Sequence, residues 1–197
     1  MILFVLVVLG LWACGGPGAA DRHARAETPP AYVDSVVPWD VALARFREGL
    51  TEPTGLSGGA ASRDALIRAF VTGLERADTA GLAGLMLDRA EFAYFYYPTV
   101  PEARPPYDLS PSLMWFMIQA AGRKGLLRAL GDLGGASLGF AGYACEGTVS
   151  RQGDNAVWGS CLLHRVQAPG DTVTERLFGP IVERGGRYKF VSLANKR

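Results

Sequence analysis

The feature that most constrains this chain is the turn chemistry of its last third. Between Ser137 and Leu193, three tight-turn signals separate four β-rich runs. Arg184-Gly185-Gly186-Arg187 divides Leu177–Glu183 from Tyr188–Leu193. A Gly-Gly pair between such runs favours a two-residue hairpin, because both central residues can take positive φ. Ala168-Pro169-Gly170-Asp171 puts Pro and Gly at the two central positions of a type II turn. Gln152-Gly153-Asp154-Asn155 closes the first hairpin. The expectation is an antiparallel four-strand meander, and with helices upstream the fold class is α+β.

Two cysteines bear on the register. If the first two strands pair symmetrically about Gly153, Cys145 and Cys161 stand opposite each other, within the separation a disulfide needs. On the loop-entropy model such a bond contributes about 3 kcal/mol. The alternative is two buried free thiols. Neither cysteine lies in a C-x-x-C pair or beside an evident base, so a catalytic thiol is not expected. Carried through the Pro169-Gly170 turn, the same register sorts the side chains onto two faces. One face takes Phe140, Ala144, Trp158, Leu162, Val166, Val173 and Leu177, with the polar Glu146, His164 and Glu175; His164 and Glu175 then stand opposite one another. The other takes Tyr143, Val149, Val157, Leu163, Arg165, Phe178 and the cysteines. Both faces are more apolar than a solvated sheet, so the sheet is expected to be covered on one side and curled or partnered on the other.

At the start of the chain, Met1 to Ala13 carries no charge and is almost wholly apolar. The run is too short for a membrane-spanning helix, which needs about 20 apolar residues. It suits the h-region of an export signal. It ends in Leu11-Trp12-Ala13-Cys14, which resembles the lipobox of bacterial lipoproteins. The resemblance implies that residues 1–13 are a cleaved signal peptide and that Cys14 carries diacylglycerol on its sulfur. It also gives a role to the third cysteine of an exported chain whose other two pair. An ordinary cleaved signal would leave Cys14 as an unpaired thiol. Gly15, not an acidic residue, follows the cysteine, and the resemblance then implies the periplasmic face of the outer membrane. Residues 14–37 mix Gly, Ala, Pro and scattered charge without apolar periodicity and read as a tether. Its reach as a flexible coil is roughly 25 Å. His23, alone in it, cannot build a metal site.

Residues 38–60 read as a short helix and loop: Pro38 opens a pattern of Trp39, Leu43, Phe46 and Leu50, followed by a Pro/Gly/Ser stretch. The main domain spans 61–197. Ser62 is a good N-cap for a helix whose apolar stripe is Leu66, Ile67, Phe70, Val71 and Leu74. Asp78-Thr79 stops that helix and caps a short one, Ala80–Leu87. Glu91-Phe-Ala-Tyr-Phe-Tyr-Tyr97 reads as a strand, with Phe92, Tyr94 and Tyr96 on one face. Its rings either fill a core or offer phenolic donors to a pocket. After the Pro-rich stretch 99–109, Ser110-Pro111 caps a helix. Its opening, Leu113-Met-Trp-Phe-Met-Ile118, is apolar all round and is therefore expected to be deeply covered or to line a cavity. Gly122, Gly125, Gly131 and Gly134-Gly135 are expected to break the remainder into short pieces.

This order of a capped helix ending at Asp78, a second helix, an aromatic strand, a further helix and a long meander resembles the nuclear transport factor 2-like superfamily. That superfamily includes ketosteroid isomerases and SnoaL-type cyclases. The resemblance covers about Ala61 to Arg197 and implies a curled sheet closing a cone around a pocket. Tyr94, Tyr96, Trp115, Met117 and Trp158 would line it. The superfamily's enzymes place an acidic base and a hydroxyl donor inside the cone. By that resemblance Asp88 or Glu91 would be the base, Tyr94 or Tyr96 the donor, and His164 with Glu175 a second acid–base pair. Dimerisation through the sheet is the form it implies. Read from the residues alone, His164 and Glu175 are as well explained as a self-satisfying polar pair.

A formal net charge of +1 with dispersed basic residues excludes a nucleic-acid footprint. The chain carries no phosphate-cradling loop, zinc spacing or nucleophile elbow, and no cofactor is implied. The expected function is an exported, lipid-anchored domain holding a small apolar or amphipathic ligand, or a partner protein, near the membrane. The alternative is an isomerase-like enzyme.

Overall fold

The computed structural model describes residues 37–145, 148–159 and 161–194. The expected signal peptide 1–13, Cys14, the tether up to residue 36 and Glu146 lie outside them. The last third contains seven strands: β1 (Phe140–Cys145), β2 (Ser150–Gln152), β3 (Asn155–Trp158), β4 (Cys161–Ala168), β5 (Asp171–Glu175), β6 (Ile181–Arg184) and β7 (Arg187–Phe190). Each predicted turn forms. Gly185 and Gly186, with φ of +59° and +76°, join β6 to β7, and Gly170, with φ +82°, follows Pro169 between β4 and β5. The meander is therefore present, and with the upstream helices the architecture is α+β.

It is not four continuous strands, however. The first three runs each divide into two strands, β1 and β2, β3 and β4, and β5 and β6, so that the meander forms two sheets, β1-β4-β5 and β2-β3-β6-β7. The register slips by one residue across the first two breaks. Gln152 faces Asn155 next to the turn, whereas Tyr143 faces Leu163 and Cys145 faces Cys161 beyond it. Symmetry about Gly153 thus holds between β1 and β4 from Gly142 to Cys145, where Cys145 and Cys161 are disulfide-bonded; a further shift pairs Phe140 with Arg165 and moves it from the Ala144 face expected for it to that of Tyr143.

Another slip corrects the expected facing of His164 and Glu175. Val166 pairs with Thr172 but Ala168 with Asp171, leaving Gln167 as a bulge. A shift of one residue moves every later side chain to the opposite face. Val173 and Glu175 therefore join Leu163 and Arg165, and His164 stands across from Thr174.

Upstream, α1 (Trp39–Arg47) buries Leu43 and Phe46. In α2 (Arg63–Glu75), Ser62 Oγ accepts from Ala65 N, and the buried stripe is the predicted one. Asp78 caps α3 (Thr79–Gly84), which is shorter than Ala80–Leu87.

The segment expected as an aromatic strand is helical. Asp88 and Glu91 form a reciprocal capping box that starts α4 (Arg89–Glu91), which runs into a π-helical turn, Phe92–Tyr96, and a 3-10 turn, Tyr97–Thr99. The wider π spacing brings residues five apart together, so the Phe92 and Tyr97 rings lie 5.7 Å apart. Carbonyls loosened by the change of helix type find side-chain donors. Ala93 O receives Arg47 (2.9 Å), Phe95 O receives Asn155 Nδ2 (2.7 Å) and Tyr96 O receives Thr99 Oγ1 (2.8 Å).

A second correction concerns α5 (Pro111–Leu133), one continuous helix that its glycines do not break. Gly122 and Gly125 face the chain that follows β7, and a Cβ at Gly125 would collide with the Leu193 carbonyl. Close approach explains them better than helix breaking. Nor is the helix covered all round: its apolar residues divide between a buried face with Met114, Leu126 and Ala129 and an exposed one.

Two cores result, one on each face of β2-β3-β6-β7. On one face Ile181 and Phe190 meet α2, with Phe70, Phe178 and Phe190 in mutual ring contact at 4.7 to 5.6 Å. On the other, Val157, Val182 and Val191 meet Phe46 and the aromatic segment. The sheet β2-β3-β6-β7 was expected to be covered on one side and curled or partnered on the other; it is instead packed on both faces by layers of this chain's own side chains.

Candidate functional site

Glu91 is the most constrained polar side chain described. The capping box turns it inward, where it is fully buried. Oε1 accepts from Ser57 N (2.6 Å) and Ser57 Oγ (3.0 Å), and Oε2 accepts from Asp88 N (2.9 Å) and Lys189 Nζ (2.7 Å). A carboxylate offers about four acceptor positions, so a substrate proton finds none vacant. Lys189 reaches it from β7, equally buried, and donates also to Ser57 O (2.9 Å). The cluster ties the loop before α2, the aromatic segment and the last strand into one charge-assisted network.

Over this cluster opens a groove of about 550 Å³. Ser57, Asp88, Arg89, Gln119 and Lys189 are among its polar lining residues, and Met86, Leu87 and Trp115 among its apolar ones. An ammonium carries three donors, and Lys189 spends two on Ser57 and Glu91. The arrangement suits an acceptor oxygen attached to an apolar body. Asp88 and Trp115, both singled out in the sequence, meet here. Lys189 was not singled out; its signal was a cation between Tyr188 and Phe190 in a strand buried on both faces.

The other candidates lie elsewhere. His164 Nδ1 is 2.9 Å from Thr174 Oγ1 on the outer face of β1-β4-β5. Glu175 accepts from Arg165 Nε (2.9 Å) and Nη2 (3.3 Å) on the opposite face. Trp158 packs on the first core beside Tyr188. Tyr94 packs on the second core with the Arg47 guanidinium 4.2 Å from its ring centroid. Tyr96 is buried there, and that burial, with Glu102 adding a little, pushes its hydroxyl up to about 12. Tyr97 OH donates to Leu109 O (2.8 Å). Among the described residues no His, Cys, Asp and Glu group could hold a metal ion.

Met117 leads to a different feature. Leu113, Phe116, Met117 and Leu127 of α5 are 47%, 67%, 52% and 59% exposed. At 100° per residue they lie within one stripe that Ala120 and Lys124 continue and Arg123 borders. Phe116, Ala120 and Leu127 with Gln119, Arg123 and Lys124 line a surface depression of about 600 Å³. Gln119 also borders the Lys189 groove, so the two features adjoin. The acidic residue of α5, Asp132, comes only in its last turn. Among the described residues no helix is long and apolar enough to cross a membrane.

No protein-family model, no curated protein and no solved structure matches the chain.

Proposed function

We propose that this is an exported, lipid-anchored interaction domain that works at a membrane surface by docking rather than by catalysis. The observation that carries the reading is the apolar stripe of α5, left exposed although two cores are filled beneath it. Exposed contiguous apolar surface of this kind marks interaction sites. The acid–base candidates support it as well: Glu91 is saturated by donors, Glu175 is paired with Arg165, and His164 stands apart from both. The anchor rests on the resemblance of Leu11-Trp12-Ala13-Cys14 to a lipobox, with the tether giving a reach of roughly 25 Å. For the fold we favour a nuclear transport factor 2-like layout, supported by capped helices preceding a bent antiparallel meander. The helical 91–97 segment stands where that reading expects a strand.

The test is photo-crosslinking in a diderm bacterium that expresses the full chain. A photo-reactive phenylalanine replaces Phe116 or Met117, with exposed Asp64 as control site. Adducts at 116 and 117, none at 64, and a diacylglycerol recovered on Cys14 are the expected results. Equal adducts at all three sites, or Cys14 recovered without a lipid, would overturn the reading.

A further inference from the structure

We infer that the occupant of the exposed α5 face is the headgroup and acyl boundary of an anionic bilayer, with α5 lying in the membrane plane. The inference deepens the proposed function and rests on it for the membrane's proximity, but not for the binding itself. Three observations carry it. First, the stripe has the composition of an interfacial helix: Leu113, Phe116, Met117 and Leu127 stand outward, and Arg123 and Lys124 stand beside them. Long basic side chains can keep their charges at lipid phosphates while their stems run along apolar surface. Second, the charge is one-sided. No acidic side chain falls between Pro111 and Gly131, so the face complements phosphate and would repel another copy of itself brought up against the same basic end. Third, α1, the first element of the described domain, packs against α5, so the stripe belongs to the helix next to the end of the domain that the tether precedes in sequence.

A spanning role does not fit α5, because Met114, Gly125, Leu126 and Ala129 on its other side are buried against the rest of the domain. The helix is held with one flank in protein, which leaves the other to lie on a surface. At 1.5 Å per residue, Leu113 to Leu127 extends roughly 21 Å along it. The Lys189 groove borders the same helix through Trp115 and Gln119, so a molecule bound there would sit beside the lipid boundary.

The experiment uses the segment from Ala31 onward, which lacks Cys14 and carries both cores, whose described members all lie between Leu43 and Leu193. A cooperative thermal melt checks its folding. Flotation with vesicles of phosphatidylglycerol and phosphatidylethanolamine is compared with flotation on phosphatidylcholine. We expect binding to the anionic vesicles, roughly tenfold weaker binding to the zwitterionic ones, and a similar loss at high salt. Phe116→Asp with Met117→Asp should lose binding to both while keeping the melt, since both side chains are exposed. Arg123→Glu with Lys124→Glu should lose only the anionic preference. No flotation, or flotation unaffected by the two aspartates, would overturn the inference. So would a dimer in sedimentation that those aspartates dissolve, since the face would then take a second copy. Because the segment has no lipid, failure of the anchor leaves this result untouched, and failure here leaves the Cys14 result untouched.

Discussion

At the scale of single residues, the buried Glu91–Lys189 pair makes the sharpest demand. A buried charge is tolerable only while its partner remains, so Lys189→Ala should destabilise by about 3–5 kcal/mol in a denaturant melt. Replacing both by apolar residues of similar volume should recover most of that loss, because no uncompensated charge is left. Tyr96 gives a second prediction. An unfolded tyrosine ionises near pH 10, whereas burial holds the folded Tyr96 hydroxyl protonated up to about 12. Its contribution is therefore fully present below pH 10 and is lost as pH rises through the window from 10 to 12. Comparing thermal melts of the wild type and Tyr96→Phe at pH 9 and pH 11.5 checks this; the wild type should lose more stability across that interval. The residues of this cluster were partly legible beforehand. Glu91 and Asp88 stood out, but as acid–base candidates. Their spacing, Asp-x-x-Glu ahead of an apolar run, is also a capping box, and the local hydrogen bonds decide for that use.

At the scale of elements, propensity misled where local geometry competed with it. Seven residues rich in Phe and Tyr favour a strand, yet the capping box starts a helix and Arg47, Asn155 and Thr99 satisfy the carbonyls of its π and 3-10 turns. Arg47 and Asn155 come from distant points in the sequence, so no local pattern announced them. The glycines of α5 show the same limit: a glycine that breaks a helix and one that admits a neighbour look alike in sequence. Gly125→Ala should therefore cost about 1–3 kcal/mol or more by overpacking against Leu193. Gly131→Ala, where a Cβ would meet nothing, should stabilise by about 0.4–1 kcal/mol. Chemical denaturation of the two single variants separates the effects. The turns and the disulfide were legible because they rest on local φ requirements and on one symmetry point. Reduction should lower stability by about 3 kcal/mol. For a domain of this size that is roughly 6–12 °C in Tm. The bulge at Gln167 was not legible, and that single residue separates His164 from Glu175.

At the scale of the whole molecule, the sheet β2-β3-β6-β7 is covered by a core on each face, and Leu113, Phe116, Met117 and Leu127 stand exposed together on α5. An all-apolar opening to α5 was visible in the sequence, but which half would be covered depended on where the meander bent. The central claim is that this remaining face works against a lipid surface to which the chain is tethered. The most direct measurement is depth. Nitroxide labels would be placed, one at a time, at Met117 and Asp64 of the lipidated full chain in anionic bilayers, and their collisions with dissolved oxygen and with a water-soluble nickel chelate compared. The account predicts that the label at 117 lies roughly 5–10 Å into the headgroup and acyl boundary while the label at 64 stays in water. Both labels reporting water, with the domain held only by its tether, would contradict it.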